Sequence, residues 1–328
     1  MAKNDGSRPE KQHTVSSFLL ERFSVSDGDK KFVFQHRSPL VNNQCVPVNV
    51  KKASIKKNIY TTADANGQKN FSMELALAKL ESDIAPVVRL ADENGINVLS
   101  AQQEYDLSFF MAVQLFRTPK VKSVVDTAFL QLQDTAAKLN FLDENEVALR
   151  RRASQEEIDL YRNAIRDGTD GMSAFADDFY VNAIMKQLTK NVPNRIMAMD
   201  WRTERVCKRQ DSFFVVSDNP FAVRRKGRLL ENKVIGLDDP DAEFYFPLSY
   251  KTMLIGSHGI VRQAKCASRM RVNELNKISF ANRHNMIWSP TESEETRQVL
   301  IALDEFRIPS PNPSSLSSQK SSGDVPSN

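Results

Sequence analysis

After an N-terminal segment that contains a short β-like run, Lys31–Gln35, the spacing of apolar residues changes from helical to β-like, and this change limits the folds that the sequence can adopt. Between about residues 70 and 190, apolar side chains recur every three or four positions, as at Met73 and Leu77, which places them on one face of a helix. Between about residues 195 and 260, short β-prone runs such as Phe244–Phe246 are separated by Asn, Asp, Pro and Gly. Helices followed by strands favour an α+β fold over an alternating βαβ sheet.

We therefore expect an α+β fold with a mainly helical N-terminal two-thirds. A smaller, mostly antiparallel β portion is expected over about residues 195–260, followed by a C-terminal helix. The last residues, mostly Ser, Pro, Asn and Gly, are too polar to offset the entropy of ordering them. The expected parts are a flexible arm (1–10), a disordered tail (308–328) and, between them, a single domain (11–307) with a helical lobe (about 70–190) and a β-containing lobe (about 195–290).

Capping boxes indicate where several helices begin. A Ser or Thr followed three residues later by Glu or Gln can satisfy two free backbone N–H groups at a helix start. This pattern occurs at Ser100 and Gln103, at Ser154 and Glu157, and at Thr291 and Glu294. The first of these helices is expected to end before Pro119, because proline cannot continue a helix.

Composition and short motifs exclude several classes of protein. No GxGxxG or GxxxxGK[ST] loop is present, which excludes phosphate binding of those two kinds. Cys45, Cys207 and Cys266 are far apart, so we expect unpaired cysteines in a reducing, cytoplasmic setting and no zinc site. The first residues lack the apolar core of a signal peptide, and the most apolar run, Leu107–Phe116, is about half of the ~20 residues that cross a bilayer. Neither secretion nor membrane insertion is expected.

Gln114 and Arg117 stand in or beside this apolar run, where polar side chains are costly. They are three residues apart on a helix and point to the same side, and a buried Arg needs an acidic or ligand partner. Glu74 and Glu81 lie seven apart on the preceding helix, so both carboxylates share nearly one face, roughly 10 Å apart along the axis. Either these side chains line one pocket, or they form an internal ion-pair network or a solvated surface.

Other polar residues are weaker candidates. His13 precedes an amphipathic segment, and a lone His is more often structural than catalytic. Asp218 and Asn219 follow a β-like run, where either a turn or a ligand-binding side chain explains them. Arg224 and Arg225 are either solvated or suited to a polyanionic ligand, which includes nucleic acid.

Several of these motifs together resemble the bacterial domain-of-unknown-function family numbered 4238. The motifs that carry the resemblance extend from about residue 11 to residue 290. They are Gln12–Ser16 with Leu20–Phe23, Lys31–Arg37, Glu74–Glu81, Gln114–Pro119, Ser217–Pro220, Phe246–Ser249 and the asparagines Asn273, Asn276 and Asn282. Thr14 and Ser16 stand where the family motif has an aromatic residue and a proline.

The resemblance implies one polar site and a bacterial setting that includes anti-phage defence loci. The residues it implies for the site are His13, Glu74, Glu81, Gln114, Arg117, Asp218 and Asn219. Our leading hypothesis is an intracellular hydrolase-like effector, a metal-dependent nuclease that cleaves phosphodiester bonds. In it, Glu74, Glu81 and Asp218 would bind Mg²⁺ or Mn²⁺, His13 would be the general acid or base, and Arg117 would stabilise charge on phosphate.

Two alternatives belong to other classes of protein. The same pocket could make the chain a non-enzymatic sensor or binding module that recognises an anionic ligand or a phage protein. In the other alternative, the polar network is structural and function lies on the surface. A separation of more than about 12 Å between the metal-ligand candidates and Arg117 would exclude a single site, because metal ligands must converge within a few Å. Convergence in a closed interior without a pocket would favour the structural alternative.

Overall fold

The fold combines long helices with two five-stranded sheets. The computed structural model describes residues 10–37, 45–63, 68–131, 142–146, 150, 153–166, 180–182, 184–188, 192–208, 210–227 and 236–305. The helices are α1 (Ser17–Glu21), α2 (Ser72–Asn94), α3 (Ala101–Phe116), α4 (Pro119–Gln131), α5 (Gln155–Arg166), α6 (Val192–Met197), α7 (Arg269–Asn282) and α8 (Glu294–Glu305), with 3-10 turns at Val50–Lys52 and Ile96–Val98.

The strands come from both ends of the chain. They are β1 (Lys11–His13), β2 (Val25–Asp27), β3 (Lys30–Arg37), β4 (Cys45–Asn49), β5 (Ile55–Lys57), β6 (Thr62–Ala63), β7 (Lys69–Asn70), β8 (Asp200–Val206), β9 (Val216–Ser217), β10 (Ala222–Arg225), β11 (Ala242–Ser249), β12 (Thr252–Ser257), β13 (Ala264–Ala267) and β14 (Met286–Ser289). One sheet has the order β10-β11-β12-β8-β13 and is antiparallel except for β13, which runs parallel to β8. The other has the order β2-β3-β14-β9, with β4 also on β3, and β1–β5 and β6–β7 form separate two-stranded ladders.

The prediction of a small β portion confined to about residues 195–260 is wrong. Strands β1 to β7 all precede residue 71, and β14 inserts between β3 and β9 to build the second sheet. The strands of the first sheet, except β13, lie within residues 195–260, where strands were predicted. Its strands β11 and β12 are long and almost fully buried. Of the N-terminal strands only β3 was predicted, as the β-like run Lys31–Gln35. The others were missed because they are only two to five residues long and show no clear alternation of apolar and polar side chains.

The helix starts were predicted more accurately than the strands. Ser100 and Gln103 form the expected reciprocal capping box at the start of α3. Ser154 and Glu157 also exchange side chain–backbone hydrogen bonds, at 2.7 and 3.2 Å, ahead of α5. The box predicted at Thr291 and Glu294 is wrong, because the backbone N–H of Thr296 donates to Ser293 Oγ instead. Ser293 therefore caps α8.

Aromatic side chains join helices and sheet in one hydrophobic core. The ring of Phe110, on α3, lies 5.3 Å from Phe18 on α1 and 6.0 Å from Phe246 on β11. Phe221, just before β10, lies 6.3 Å from Phe246 and continues the series. The buried face of α2, which includes Met73 and Leu77 as predicted, packs into the same core. The N-terminal helix, the long helices and the first sheet are thereby held in a fixed relation.

The predictions about the cysteines and about membrane insertion have different outcomes. Cys207 and Cys266 are joined by a disulfide, so the prediction that all three cysteines are unpaired is wrong. No sequence motif indicates this pair, because its members are 59 residues apart and only the parallel pairing of β8 and β13 brings them together. Across the described ranges, no helix is long and apolar enough to cross a membrane. The cytoplasmic location, the division into lobes, the arm and the tail stay predictions; residues 1–9 and 308–328 lie outside the described part.

Candidate functional site

Arg117 is buried at the junction of α3 and α4. From Leu107 onward helix α3 is buried on nearly all sides; it ends at Phe116, and α4 begins at Pro119, so Arg117 lies at a bend inside the core. Its side chain is 1% exposed. The Tyr60 hydroxyl donates to the Arg117 carbonyl oxygen at 2.5 Å, and the guanidinium lies 5.7 Å from the centre of the Tyr60 ring. Tyr180 also holds this bend by donating to the carbonyl of Phe116 at 3.1 Å.

The guanidinium of Arg117 connects two other candidate residues. Its Nη1 atom donates to Glu81 Oε1 at 2.6 Å, and its Nη2 atom donates to the carbonyl oxygen of His13. Ser16 Oγ donates to the same Glu81 oxygen at 2.9 Å and accepts from Gln114 Nε2 at 2.9 Å. Gln114, Ser16, Glu81, Arg117 and His13 therefore form one continuous network that joins β1, α2 and α3.

Four buried polar atoms of this cluster have no hydrogen-bond partner among the described residues. They are His13 Nε2, Glu74 Oε2, Gln114 Oε1 and Arg117 Nε. The carboxyl group of Glu74 is within electrostatic range of Arg117 and Glu81, and the His13 ring is within range of the same two groups. Because His13, Glu74 and Glu81 are only half-buried, the cluster reaches the protein surface and is not closed inside the core.

Burial changes the proton affinity of two groups in the cluster. It raises the pKa of Glu74 from its ordinary 4.5 to about 7, a rise that Arg117 opposes and the negative charge of Glu81 reinforces. Burial also lowers the pKa of His13 below its ordinary 6.5, with Glu81 acting in the opposite direction and Arg117 in the same one. At neutral pH, Glu74 is therefore divided between its two protonation states while His13 is mostly neutral. Such paired displacements are common at acid–base sites.

The comparison with known proteins concerns the whole of this region. Residues 11–293 match a protein family described as a protein of unknown function, DUF4238. The chain belongs to the DUF4238 family. The matched region contains the whole cluster around Arg117 and ends just before α8. No curated protein and no solved structure matches the chain.

Asp218 lies within the DUF4238 region but outside the cluster. Its carboxylate accepts hydrogen bonds from the backbone N–H groups of His284, Asn285 and Met286 at 2.8, 2.8 and 3.1 Å. Burial raises the pKa of Asp218 above its ordinary value, against the opposing effect of those backbone hydrogen bonds. The carboxylate therefore fixes the turn between α7 and β14. This is a structural role.

The sheet register separates Asp218 from His13. Met286, which accepts from the Asp218 N–H, pairs with Arg37 at one end of β3. Asn49 pairs with Phe32, near the other end of β3. The 3-10 turn Val50–Lys52, whose backbone contacts the His13 ring, begins at the next residue. The strand between Phe32 and Arg37 spans roughly 16 Å. Asn219 lies beside Asp218 at the end of α7 and not near His13, because its side chain donates to the carbonyl of Asn282 at 3.2 Å.

The predicted metal and anion sites are corrected by this placement. Asp218 cannot join Glu74 and Glu81 as a third ligand, and no group of three or more His, Cys, Asp or Glu side chains in the described ranges is placed to hold a metal ion. Arg224 and Arg225 are also engaged, by Glu243 at 3.3 Å and Asp239 at 2.7 Å respectively. The three-carboxylate set is not available in the predicted form because Asp218 lies at a separate turn. The Arg pair is not available because each Arg has an internal acidic partner.

Sequence reasoning missed three residues that shape the cluster: Ser16, Tyr60 and Tyr180. A serine gives no sign of its partners in the sequence, and Tyr60 and Tyr180 reach the bend at Arg117 from distant parts of the chain. The only available signal was the replacement of the family's proline by Ser16. A surface cavity of about 490 Å³ lies elsewhere, between α7 and the start of α8, and contains none of the predicted site residues.

Proposed function

We propose that the chain is a hydrolase of phosphodiester bonds whose active site is formed by His13, Glu74, Glu81, Gln114 and Arg117. The observation that carries the proposal is the set of four buried, unpartnered polar atoms around the Arg117–Glu81 ion pair within the described ranges. A purely structural network would be expected to satisfy its buried atoms, because each unpaired one costs about 1–3 kcal/mol. A bound ligand would supply the missing partners.

The chemistry of these four atoms suits a phosphate ester with its attacking water. Glu74 Oε2 and Gln114 Oε1 can accept hydrogen bonds, as can His13 Nε2 when the other ring nitrogen carries the proton. The His13 ring already has a hydrogen bond to the Lys51 backbone, which leaves Nε2 for the substrate side. Arg117 Nε can donate to a phosphate oxygen. Acceptors for water and a cationic donor for phosphate therefore lie in one cluster.

The directions of the two pKa shifts support different roles for His13 and Glu74. His13, neutral at pH 7, would take a proton at Nε2 from the water whose oxygen attacks phosphorus. As the P–O ester bond breaks, protonated Glu74 would give its proton to the leaving oxygen. Arg117 would position His13, because its Nη2 atom donates to the His13 carbonyl oxygen. Glu81 would hold Arg117 in place by accepting from its Nη1 atom. Ser16 and Gln114 would hold Glu81 in place.

The divalent cation and the role in anti-phage defence remain parts of this proposal. A Mg²⁺ or Mn²⁺ ion would be held by a carboxylate oxygen of Glu81, with water and substrate oxygens as its other ligands, because Glu74 must keep its proton to act as the acid. The assay must therefore be run with and without each cation. In the alternative function, a sensor or binding module, the same unpartnered atoms would bind an anionic ligand without turnover.

The pH–rate profile tests the proposed roles directly. Cleavage of DNA or RNA by the purified protein should be bell-shaped, rising with loss of the His13 proton below pH 6.5 and falling with loss of the Glu74 proton at about pH 7. Glu74→Gln should remove the alkaline limb and lower the rate by about 10²–10⁴-fold. His13→Gln should remove the acidic limb. Unchanged rates in both variants, or binding without cleavage under every condition, would refute the proposed reaction.

A further inference from the structure

Exposed lysines crowd the surface beside His13. Strands β1 and β5 pair antiparallel, with Lys11 opposite Lys57 and His13 opposite Ile55. Alternate residues of a strand point to the same face, and directly opposed residues share a face. Lys11 and Lys57 therefore lie on the same face of this ladder as His13, and both are exposed.

Two further lysines approach His13 from the 3-10 turn. The Lys51 backbone forms a hydrogen bond with the His13 ring, and Lys52 is the next residue. Both side chains are exposed. We call Lys11, Lys51, Lys52 and Lys57 the lysine rim.

The positive charge of the lysine rim is poorly compensated. Lys11, Lys51 and Lys52 form no ion pair with any residue that the structure describes. Lys57 lies 3.6 Å from Glu10, and Glu10 is shared with Lys69 at 2.8 Å. The opposed lysines Lys11 and Lys57 repel one another and lower the stability of the ladder. The arrangement is thus costly for the fold and favourable for a negatively charged partner.

The backbone beneath the lysine rim is fixed in an unusual conformation. Ser54 and Asn58, on either side of β5, have φ angles of 57° and 55°, in the left-handed region that side chains disfavour. Both the N–H and the hydroxyl of Thr14 donate to the Ser54 carbonyl at 3.1 Å, and Ser54 Oγ donates to the Val15 carbonyl at 2.8 Å. These bonds hold the lysine-bearing turn against the strand that carries His13.

We propose that the lysine rim is a docking surface for the phosphate backbone of nucleic acid. Charge complementarity supports this partner: closely spaced, uncompensated lysines match the regular negative charges of DNA or RNA. The rim differs in this respect from Arg224 and Arg225, whose charges are balanced by Glu243 and Asp239. That the docked strand delivers a phosphodiester to His13 rests on the proposed function; the docking itself does not.

Binding of labelled oligonucleotides tests the docking surface. The probes are single-stranded DNA, RNA of the same sequence, and the DNA duplex, followed by fluorescence anisotropy over a range of salt concentrations. The variant Lys11→Gln/Lys51→Gln/Lys52→Gln removes three charges but keeps the backbone contact to His13. It should bind at least one probe about tenfold more weakly, and the slope of log Kd against log salt should fall by about 2–3.

The matched control is Lys208→Gln/Lys265→Gln/Lys277→Gln, which removes the same charge from exposed lysines elsewhere. It should bind as the unmodified protein does. Equal affinity of both variants, no binding of any probe by the unmodified protein, or preferential binding of anionic lipid vesicles would overturn the docking proposal.

Hydrolysis of the small diester bis(4-nitrophenyl) phosphate separates the two proposals. Unmodified protein that binds oligonucleotides through the rim but cleaves no diester would refute the reaction and keep the docking surface.

Discussion

Glu74 and Glu81 lie on one helix but have opposite surroundings. Glu81 accepts hydrogen bonds from Arg117 and Ser16, whereas the buried Oε2 atom of Glu74 accepts none from the described residues. Burial without a partner is the reason why the Glu74 carboxyl holds its proton up to about pH 7. Two carboxylates in one cluster, one paired and one unsatisfied, are suited to different tasks in acid–base chemistry.

The raised pKa of Glu74 makes stability depend on pH. Below pH 4.5 the carboxyl is protonated in both the folded and the unfolded chain. Between pH 4.5 and about 7 only the folded chain holds the proton, so the free energy of unfolding falls as pH rises, and above pH 7 the folded protein carries the full cost. Glu74→Gln should therefore raise the free energy of unfolding at pH 8 by on the order of 1–2 kcal/mol, after allowance for partial exposure, and leave it unchanged at pH 4.

Urea unfolding at the two pH values measures this difference. Glu93→Gln, which removes the same charge from an exposed position of α2, is the control and should show no comparable gain at pH 8. If Glu74→Gln lowered stability at pH 8, Glu74 would be a satisfied structural carboxylate and its buried oxygen would not be unpaired.

Individual residues of the cluster could be predicted from the sequence where a polar side chain stands at a position that is expected to be buried. Gln114 and Arg117 stood out because they interrupt an apolar helix, and the spacing of Glu74 and Glu81 placed them on a common face. Asp218 was misplaced because a carboxylate that satisfies backbone N–H groups at a turn looks, in sequence, like one that awaits a ligand. Nothing local distinguishes the two.

At the scale of elements, helices were predictable and most N-terminal strands were not. The capping boxes and the proline after α3 are local signals, and the helices α3 and α5 begin as those signals indicate. Strand β14, in contrast, is four residues long and pairs with β3, which lies about 250 residues earlier in the chain. Short strands whose partners are so distant have no local signature. The size of the β part therefore followed from tertiary pairing and not from periodicity.

The contact between β8 and β12 provides a test of the sheet that supports the cluster. Gly256 on β12 lies against Trp201 on β8, and a Cβ atom there would lie 2.9 Å from two ring carbons. The indole cannot easily move, because its N–H donates to the Ile196 carbonyl at 2.8 Å. Gly256→Ala should lower the free energy of unfolding by about 1–3 kcal/mol.

Denaturant unfolding of Gly256→Ala and Gly236→Ala gives this comparison. The nearest atom to a Cβ at Gly236 would be the Asp238 nitrogen at 3.9 Å, which is an ordinary contact. Gly236→Ala should therefore behave as the unmodified protein. Equal stability of both variants would mean that the packing of Trp201 against β12 is looser than described.

At the scale of the whole molecule, the chain is folded so that distant segments meet at Arg117. The cluster takes His13 and Ser16 from the N-terminal segment, Glu81 from α2 and Gln114 from α3, while the first sheet packs behind these helices through the aromatic core. Such an arrangement serves either a shared internal network or a site at the surface. The unpartnered atoms and the lysine rim beside His13 favour a site.

The most direct test of this account is the phosphodiesterase activity of Glu74→Gln per folded molecule, measured at pH 6.5 together with its thermal unfolding. The substitution keeps the shape of the side chain and removes only the proton exchange that the account assigns to it. We predict a protein at least as stable as the unmodified chain, with activity lower by about 10²–10⁴-fold. Full activity per folded molecule, or activity that falls only in proportion to the loss of folded protein, would contradict the claim that this cluster is catalytic.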